Sequence, residues 1–364
     1  MANTAFIHVQ ELCQLIVDLL QDSKADLESC ALISPAFTAA AQRHLFRDIN
    51  LTANGDGLPD RFCAILAIAP HILQLVRRVQ TGLEAQVLTQ LSKLHFPNLR
   101  ELCFTGNTSP SGLQLAADLV GLPSICSVTL DHCFLSIADV TRLFESCTSR
   151  LDSLTLDSST IREDAEGAGP NGPRTRRIKL NRLGIQDIWI SWEWLLHPMC
   201  PFDIAAIHDL DYNSLALFSP PATILNSSRW TLKKLSIRLR AYNGGRQPFD
   251  IAVADLPALT HLSVTVSPPV NWKVVAPLLQ SDSLVFLALV MMPFHSFISL
   301  EHSTEQLRRL RLSMSARAFP KLQTLELHVP AHLFGMEIGS HEVQERVRAT
   351  MVEWDMYDKL QVLG

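Results

Sequence analysis

One phrase recurs along this chain: apolar, two residues of any kind, apolar, one of any kind, apolar. It appears as NLRELCF (98–104), SICSVTL (124–130), RLDSLTL (150–156) and AIHDLDY (206–212). It returns as TLKKLSI (231–237), ALTHLSV (258–264), SLVFLAL (283–289) and KLQTLEL (321–327). Alternate side chains of a strand face opposite ways, so each copy reads as a short strand with one face buried. The middle apolar positions are Leu102, Val128, Leu154, Leu210, Leu235, Leu262, Leu287 and Leu325. Between Leu154 and Leu210 one further unit is expected at TRRIKL (175–180), with Ile178 in register. The spacings are then 26, 26, 24, 32, 25, 27, 25 and 38 residues. Val79 in LVRRVQTG and Ile49 in FRDINLT extend the series upstream, to about eleven strands. Units of this size bury their apolar face only by stacking on their neighbours.

Each strand then needs a return segment. Ser136 and Asp139 have the spacing of a capping box before VTRLFES. SGLQLAADLV (111–120) and WKVVAPLL (272–279) have the apolar spacing of half-buried helices. EDAEGAGPNGPRT (163–175) and AYNGGRQP (241–248) read as exposed loops. In GSHEVQERVRATMVEWDMYDKL, Val343, Val347, Met351 and Trp354 step at helical intervals, so a terminal helical cap is expected.

Hydrophobic residues make up 47% of the 364 residues, which excludes wholesale disorder. A net charge of −5 implies neither a nucleic-acid partner nor an anionic membrane. The longest uninterrupted apolar run, Leu284–Met292, is far short of the ~20 residues of a membrane span. No secretory signal is visible at the N-terminus, and the expected location is cytoplasmic or nuclear. The eight cysteines form no CxxC pair and read as buried thiols rather than a disulfide framework.

The first 50 residues have a different rhythm. VQELCQLIVDLL places Leu12, Leu15, Ile16, Leu19 and Leu20 on one helical face. Ser23 and Asp26 open a second helix through Leu27, Cys30, Ala31 and Ile33. Ser34-Pro35 opens a third, AFTAAAQRHLF. Three short helices cannot bury this much apolar surface alone, so part of it must dock elsewhere.

The repeated phrase and its period resemble leucine-rich repeats in a degenerate form, a solenoid with parallel strands on its concave face. In that family Asn or Cys often satisfies backbone groups in the turn after the strand. Asn107 and Cys133 fit that slot, whereas later units place Ser159, Leu183, Leu215, Arg240, Ser267, Met292 and Pro330 there. Residues 9–51 resemble the F-box, the adaptor-docking motif of substrate receptors in SCF-type ubiquitin ligases. Val9-Gln10 stand where the family has Leu-Pro, before Glu11-Leu12. Asp26-Leu27 match its Asp-Leu step. Cys30, Ala31, Leu32, Ile33 and Ser34 match its small-apolar run. Phe37 takes the place of its usual Trp, and Leu45-Phe46-Arg47 its closing bulky pair and basic residue. The order of the two resembles large fungal families of such receptors. The expected fold is therefore α/β, with a three-helix F-box-like module over 1–50 and an irregular solenoid with a helical cap over 51–364.

The resemblance implies a non-enzymatic substrate receptor. Leu12, Ile16, Leu19, Leu20, Leu27, Ile33 and Phe37 would meet a Skp-type adaptor and, through it, a cullin scaffold. The solenoid would hold a target protein. Between-core positions place Arg177, Lys179, Asp209, Asp211, Lys234, Arg238, Phe286 and Ala288 on the expected target face. There the basic run RTRRIKLNR reads either as a solvated face balanced by Asp131, Asp157, Asp209 and Asp211 or as a dock for an acidic or phosphorylated signal. A scaffold whose N-terminal helices only cap the solenoid, and a GTPase regulator, remain open alternatives. Gly-rich phosphate loops, H-E-x-x-H and G-x-S-x-G are all lacking, so neither enzyme, metal nor cofactor is expected. Trp189, Trp192 and Trp194 read as packing residues before a ligand patch.

Overall fold

The computed structural model describes residues 2–52, 58–107, 109–147, 151–162, 177–186, 193–198, 200–213, 222–239, 253–266, 275–276, 279–291, 300–329 and 340–363. These residues make a mixed α/β protein. They form two compact units, Met1–Leu151 with Ser159–Pro173, and Asp152–Ser158 with Arg174–Gly364. The expected loops at 163–175 and 241–248 lie outside the described residues, as does most of the expected helix at 272–279.

The first unit opens with α1 (Ala2–Leu19), α2 (Lys24–Ile33) and α3 (Pro35–Leu45). Ser23 caps α2 by accepting from the Asp26 N–H, and Pro35 fills the first turn of α3 behind Ser34, as the sequence led us to expect. Val17, Leu27, Cys30, Ala40 and Ala41 form the core of the three helices, with Leu20, Ala31, Phe37 and Leu45 packed against it. The chain continues through β1 (Asp48–Asn50), α4 (Leu58–Ile68), β2 (Arg78–Gly82) and α5 (Ala85–Ser92). Then come β3 (Glu101–Asn107), α6 (Pro110–Val120), β4 (Ser127–Ser136) and α7 (Ile137–Leu143). Strands β1, β2, β3 and β4 are parallel neighbours, with Ile49, Val79, Leu102 and Val128 in one register. The capping box of Ser136 and Asp139 forms as expected at the start of α7. The expected boundary at residue 50 lies inside this unit.

The chain next gives β5 (Ser153–Asp157) to the second unit and returns with β6 (Thr160–Arg162), which runs parallel to the end of β4. At 26-residue intervals, Gly106, His132 and Ser158 turn through positive φ (83°, 51° and 45°). The residue after each turn is Asn107, Cys133 or Ser159. Ser159 Oγ donates to the Leu130 carbonyl (2.9 Å) and accepts from the Cys133 N–H (3.0 Å). Cys133 Sγ donates to the Phe104 carbonyl (3.2 Å). These buried side chains satisfy backbone groups beside the turns. Ser159 thus does in its turn what the sequence reading assigned to Asn107 and Cys133 alone. Burial pushes the Cys133 thiol up to about 12, so it stays protonated and can donate.

The second unit contains β7 (Ile178–Lys179), β8 (Arg182–Gln186), α8 (Glu193–Leu196), β9 (Phe202–Asp203), β10 (Asp209–Asn213), α9 (Ala222–Ser228) and β11 (Lys234–Leu239). It ends with β12 (His261–Val266), β13 (Phe286–Met291), α10 (Leu300–Ser313), β14 (Thr324–His328), α11 (Ser340–Met351) and β15 (Leu360–Leu363). Its sheet runs β5–β8–β10–β11–β12–β13–β14–β15, every pair parallel. Leu154, Leu183, Leu210, Leu235, Leu262, Leu287, Leu325 and Leu360 line up across it.

Two expectations are corrected. The unit between Leu154 and Leu210 is centred on Leu183, not Ile178. Ile178 lies on β7, which pairs with β9 in a separate two-stranded sheet. The C-terminal helix forms over 340–351, but the chain then adds β15, which the sequence reading missed. Within the cap, Val347, Met351 and Trp354 are buried, and the Trp354 indole donates to the Met314 carbonyl (2.9 Å).

Candidate binding surfaces

Helix α1 is apolar on two sides. Cys13, Val17 and Leu20 recur at i, i+4 and i+7; Val17 and Leu20 join the three-helix core, and Cys13 and Val17 are buried. Leu12, Leu15, Ile16 and Leu19 recur at i, i+3, i+4 and i+7 on a separate, outward face, with Leu19 85% exposed. At the end of α2, Leu32 and Ile33 are exposed as well. The expected adaptor set therefore divides. Leu12, Ile16, Leu19 and Ile33 lie on the surface. Leu27 is a core residue, and Leu20 and Phe37 pack against that core, so these three are not an outward-facing surface. The reason is geometric: Leu20 follows Leu19 by about 100° around a helix and so belongs to the other stripe.

A polar cluster ties α1 to α3 beside this surface. Asp18 Oδ1 lies 2.7 Å from His44 Nε2 and accepts from Gln14 Nε2 at 2.6 Å. Arg43 donates to the Gln14 amide oxygen (3.2 Å). The bond with His44 first, then that from Gln14, holds the Asp18 carboxyl below its ordinary range.

The second surface is the solvent side of the second unit's sheet. In β8, β10, β11, β12 and β13, the residues flanking the core leucines are Arg182, Asp209, Lys234, His261 and Phe286, aligned across the strands. One step further along the strands stand Gly184, Asp211, Ser236, Ser263 and Ala288. A cavity of about 230 Å³ opens over the first row and over Asp211, Ser236 and Ser263 of the second. Arg182 Nε approaches Asp209 Oδ2 at 3.8 Å, a loose, partly exposed pair of small energetic worth. The His261 ring stacks on Phe286 with centroids 5.6 Å apart and planes 27° apart, and Thr260 Oγ1 lies 2.9 Å from its Nδ1. Burial raises the Asp211 carboxyl above its ordinary range, Arg182 offsetting part of the shift and Asp209 adding to it.

Asp209, Asp211, Lys234 and Phe286 are thus brought together as expected; Ala288 is buried in line with Ser263, and Arg238 lies on the same face of β11 as Lys234. Arg177 and Lys179 are not. Both are exposed, but they lie before and on β7, outside this sheet, and Arg182 takes the place assigned to them. Sequence reasoning missed His261 and the small-residue floor. Alternation along HLSVTV contained the signal, because it puts His261 in line with Phe286 once the register is fixed. Trp194 is buried edge-on against Phe202, centroids 6.4 Å apart, as a packing residue. Trp189 and Trp192 lie outside the described residues.

Among the described residues no group of His, Cys, Asp and Glu could hold a metal ion, and no helix is long and apolar enough to cross a membrane. All eight cysteines are thiols; Cys13, Cys30, Cys103, Cys133 and Cys200 are buried. No protein-family model matches the chain, and no curated protein matches it.

Proposed function

We propose that this chain is the target-recognition subunit of an SCF-type ubiquitin ligase, working in the cytoplasm or nucleus. Its N-terminal helices dock a Skp-type adaptor that leads to a cullin scaffold, and its degenerate leucine-rich array holds a target protein. The chain itself performs no chemistry. Its mechanism is proximity: two tethered binding events raise the effective concentration of the target near the transferring subunits.

The observation that carries this reading is the outer stripe of α1. The inner stripe already supplies the three-helix core, so the outer leucines add nothing to that fold. A contiguous exposed apolar stripe is what an interface presents. The parallel strands, with core leucines recurring at close to one period, support the array half of the proposal.

The test is co-purification with a recombinant Skp-type adaptor. Leu15→Asp/Leu19→Asp should abolish capture and leave the melting temperature unchanged, because both side chains are already in water. Each buried leucine contributes roughly 1.5–3 kcal/mol, so Leu19→Ala alone should weaken binding by about tenfold or more. Phe37→Asp is a poor probe, since it would place a charge against the helical core. Failure of the wild-type chain to bind the adaptor refutes the ligase reading and leaves a scaffold whose helices only cap the array.

A further inference from the structure

The open face of the second unit carries an unbalanced acceptor line beside an aromatic ledge. Asp209, Asp211 and Asn213 alternate with the buried Leu210 and Tyr212, so all three project from one side of β10. Asp209 is aligned with a cation on each side, Arg182 and Lys234. Asp211 is aligned instead with Gly184 and Ser236, which bring no charge. Among the described residues no cation lies within ion-pair distance of Asp211, although it is half-buried. Next along the strand, the amide oxygen of Asn213 is buried without a hydrogen-bond partner among the described residues. Buried acceptors normally have donors, so this strand is short of them. Two and three strands away, His261 and Phe286 stack to form an apolar ledge over the same cavity.

We propose that this face takes an extended peptide segment bearing an arginine or lysine and, four residues away, a large apolar residue. The basic side chain meets Asp211, and the apolar one rests on His261 and Phe286. The assignment rests on the target-binding reading above and specifies its ligand. Charge complementarity selects the basic residue, because Asp211 is half-buried with no cation aligned to it across the strands, Arg182 and Lys234 standing one row away beside Asp209. Strand spacing sets the interval. From β10 to β13 is three steps of about 4.8 Å, roughly 14 Å. An extended chain advances about 3.4 Å per residue, so positions i and i+4 span the same distance with side chains on one side. The small floor at Ser236 and Ser263 lets the peptide backbone approach the sheet.

The experiment uses the purified full chain without adaptor, on an array of immobilised nonapeptides of serine and glycine. Arginine is fixed, and leucine is placed two, four or six residues away. Matching sets carry glutamate or glutamine for arginine. The wild type should bind the four-residue spacing best, and glutamate for arginine should reduce binding roughly tenfold or more. Asp211→Asn should remove the preference for arginine over glutamine while keeping the preference for leucine. Ser263→Leu should fill the floor and weaken all peptides alike. Circular dichroism confirms that both variants fold. No arginine preference in the wild type, or one that survives Asp211→Asn, overturns the proposal. Arginine preference without adaptor capture would refute only the ligase reading. Adaptor capture without arginine preference would refute only this inference.

Discussion

At the scale of single residues, two carboxylates respond to pH in opposite directions. Asp211 has its folded pKa raised from 3.8, chiefly by burial. Its ionised form is therefore disfavoured in the folded chain. Stability falls as pH rises from 3.8 through the raised folded value, and the deficit persists at neutral pH. Asp211→Asn should raise stability at pH 7 in a urea titration and should give little gain near pH 3.8, where the unfolded carboxylate is half protonated. A carboxylate kept at a cost to the fold is what a binding site tends to contain. Asp18 is the reverse case, its pKa lowered from 3.8 by His44 and then Gln14. Its contribution is present above 3.8 and lost as pH falls from there through the depressed folded value. Asp18→Asn should lower stability at pH 7 and have no effect well below the carboxylate range. A loss that persists in acid would mean that the amide disrupts packing rather than the bonds to His44 and Gln14.

At the scale of elements, the question is which strand follows β5. Gly184 on β8 faces Thr155 on β5. A Cβ built at Gly184 would lie 3.0 Å from Thr155 Oγ1, 3.2 Å from its Cγ2 and 3.4 Å from its Cβ. Gly184→Ala should therefore cost about 1–3 kcal/mol in wild type. In a Thr155→Ala background, where the two nearer atoms are gone, the cost should shrink by at least about 0.5 kcal/mol. A double-mutant cycle in denaturant with no coupling would contradict this register. The sequence held the answer in part. Leu180, Leu183 and Ile185 repeat the full phrase, but the overlapping Ile178 and Leu180 imitate its second half, and one local pattern cannot arbitrate between them. Spacing can, since centring on Leu183 gives 29 and 27 residues where Ile178 gives 24 and 32. The strand β15 was obscured because the helical steps from Val343 to Trp354 run almost into it. The two stripes of α1 were unreadable for a different reason. Both are apolar, and only packing against α2 and α3 decides which one is inside.

At the scale of the whole molecule, the chain does not divide at a single point. Residues 152–158 belong to the second unit, yet 159–173 belong to the first. A fragment ending at residue 151 keeps all of β1, β2, β3 and β4 but loses β6 and Ser159. That leaves the Cys133 N–H and the Leu130 carbonyl without the hydroxyl that serves both of them. Each buried backbone group stripped of its partner costs roughly 1–3 kcal/mol. The buried Ile161 also leaves its place beside β4, and loss of a side chain that size costs a further 2–5 kcal/mol or so. A fragment ending at residue 173 keeps both, at the expense of carrying β5 without its partner β8. Since β5 presents only Leu154 and Leu156 to its own core, it is the smaller liability. Fragment 1–173 should therefore show a cooperative thermal transition well above that of fragment 1–151, and Ser159→Ala within 1–173 should recover part of the difference. Equal melting temperatures for the two fragments would show that the first unit is complete at residue 151 and that the return through β6 adds nothing to its stability.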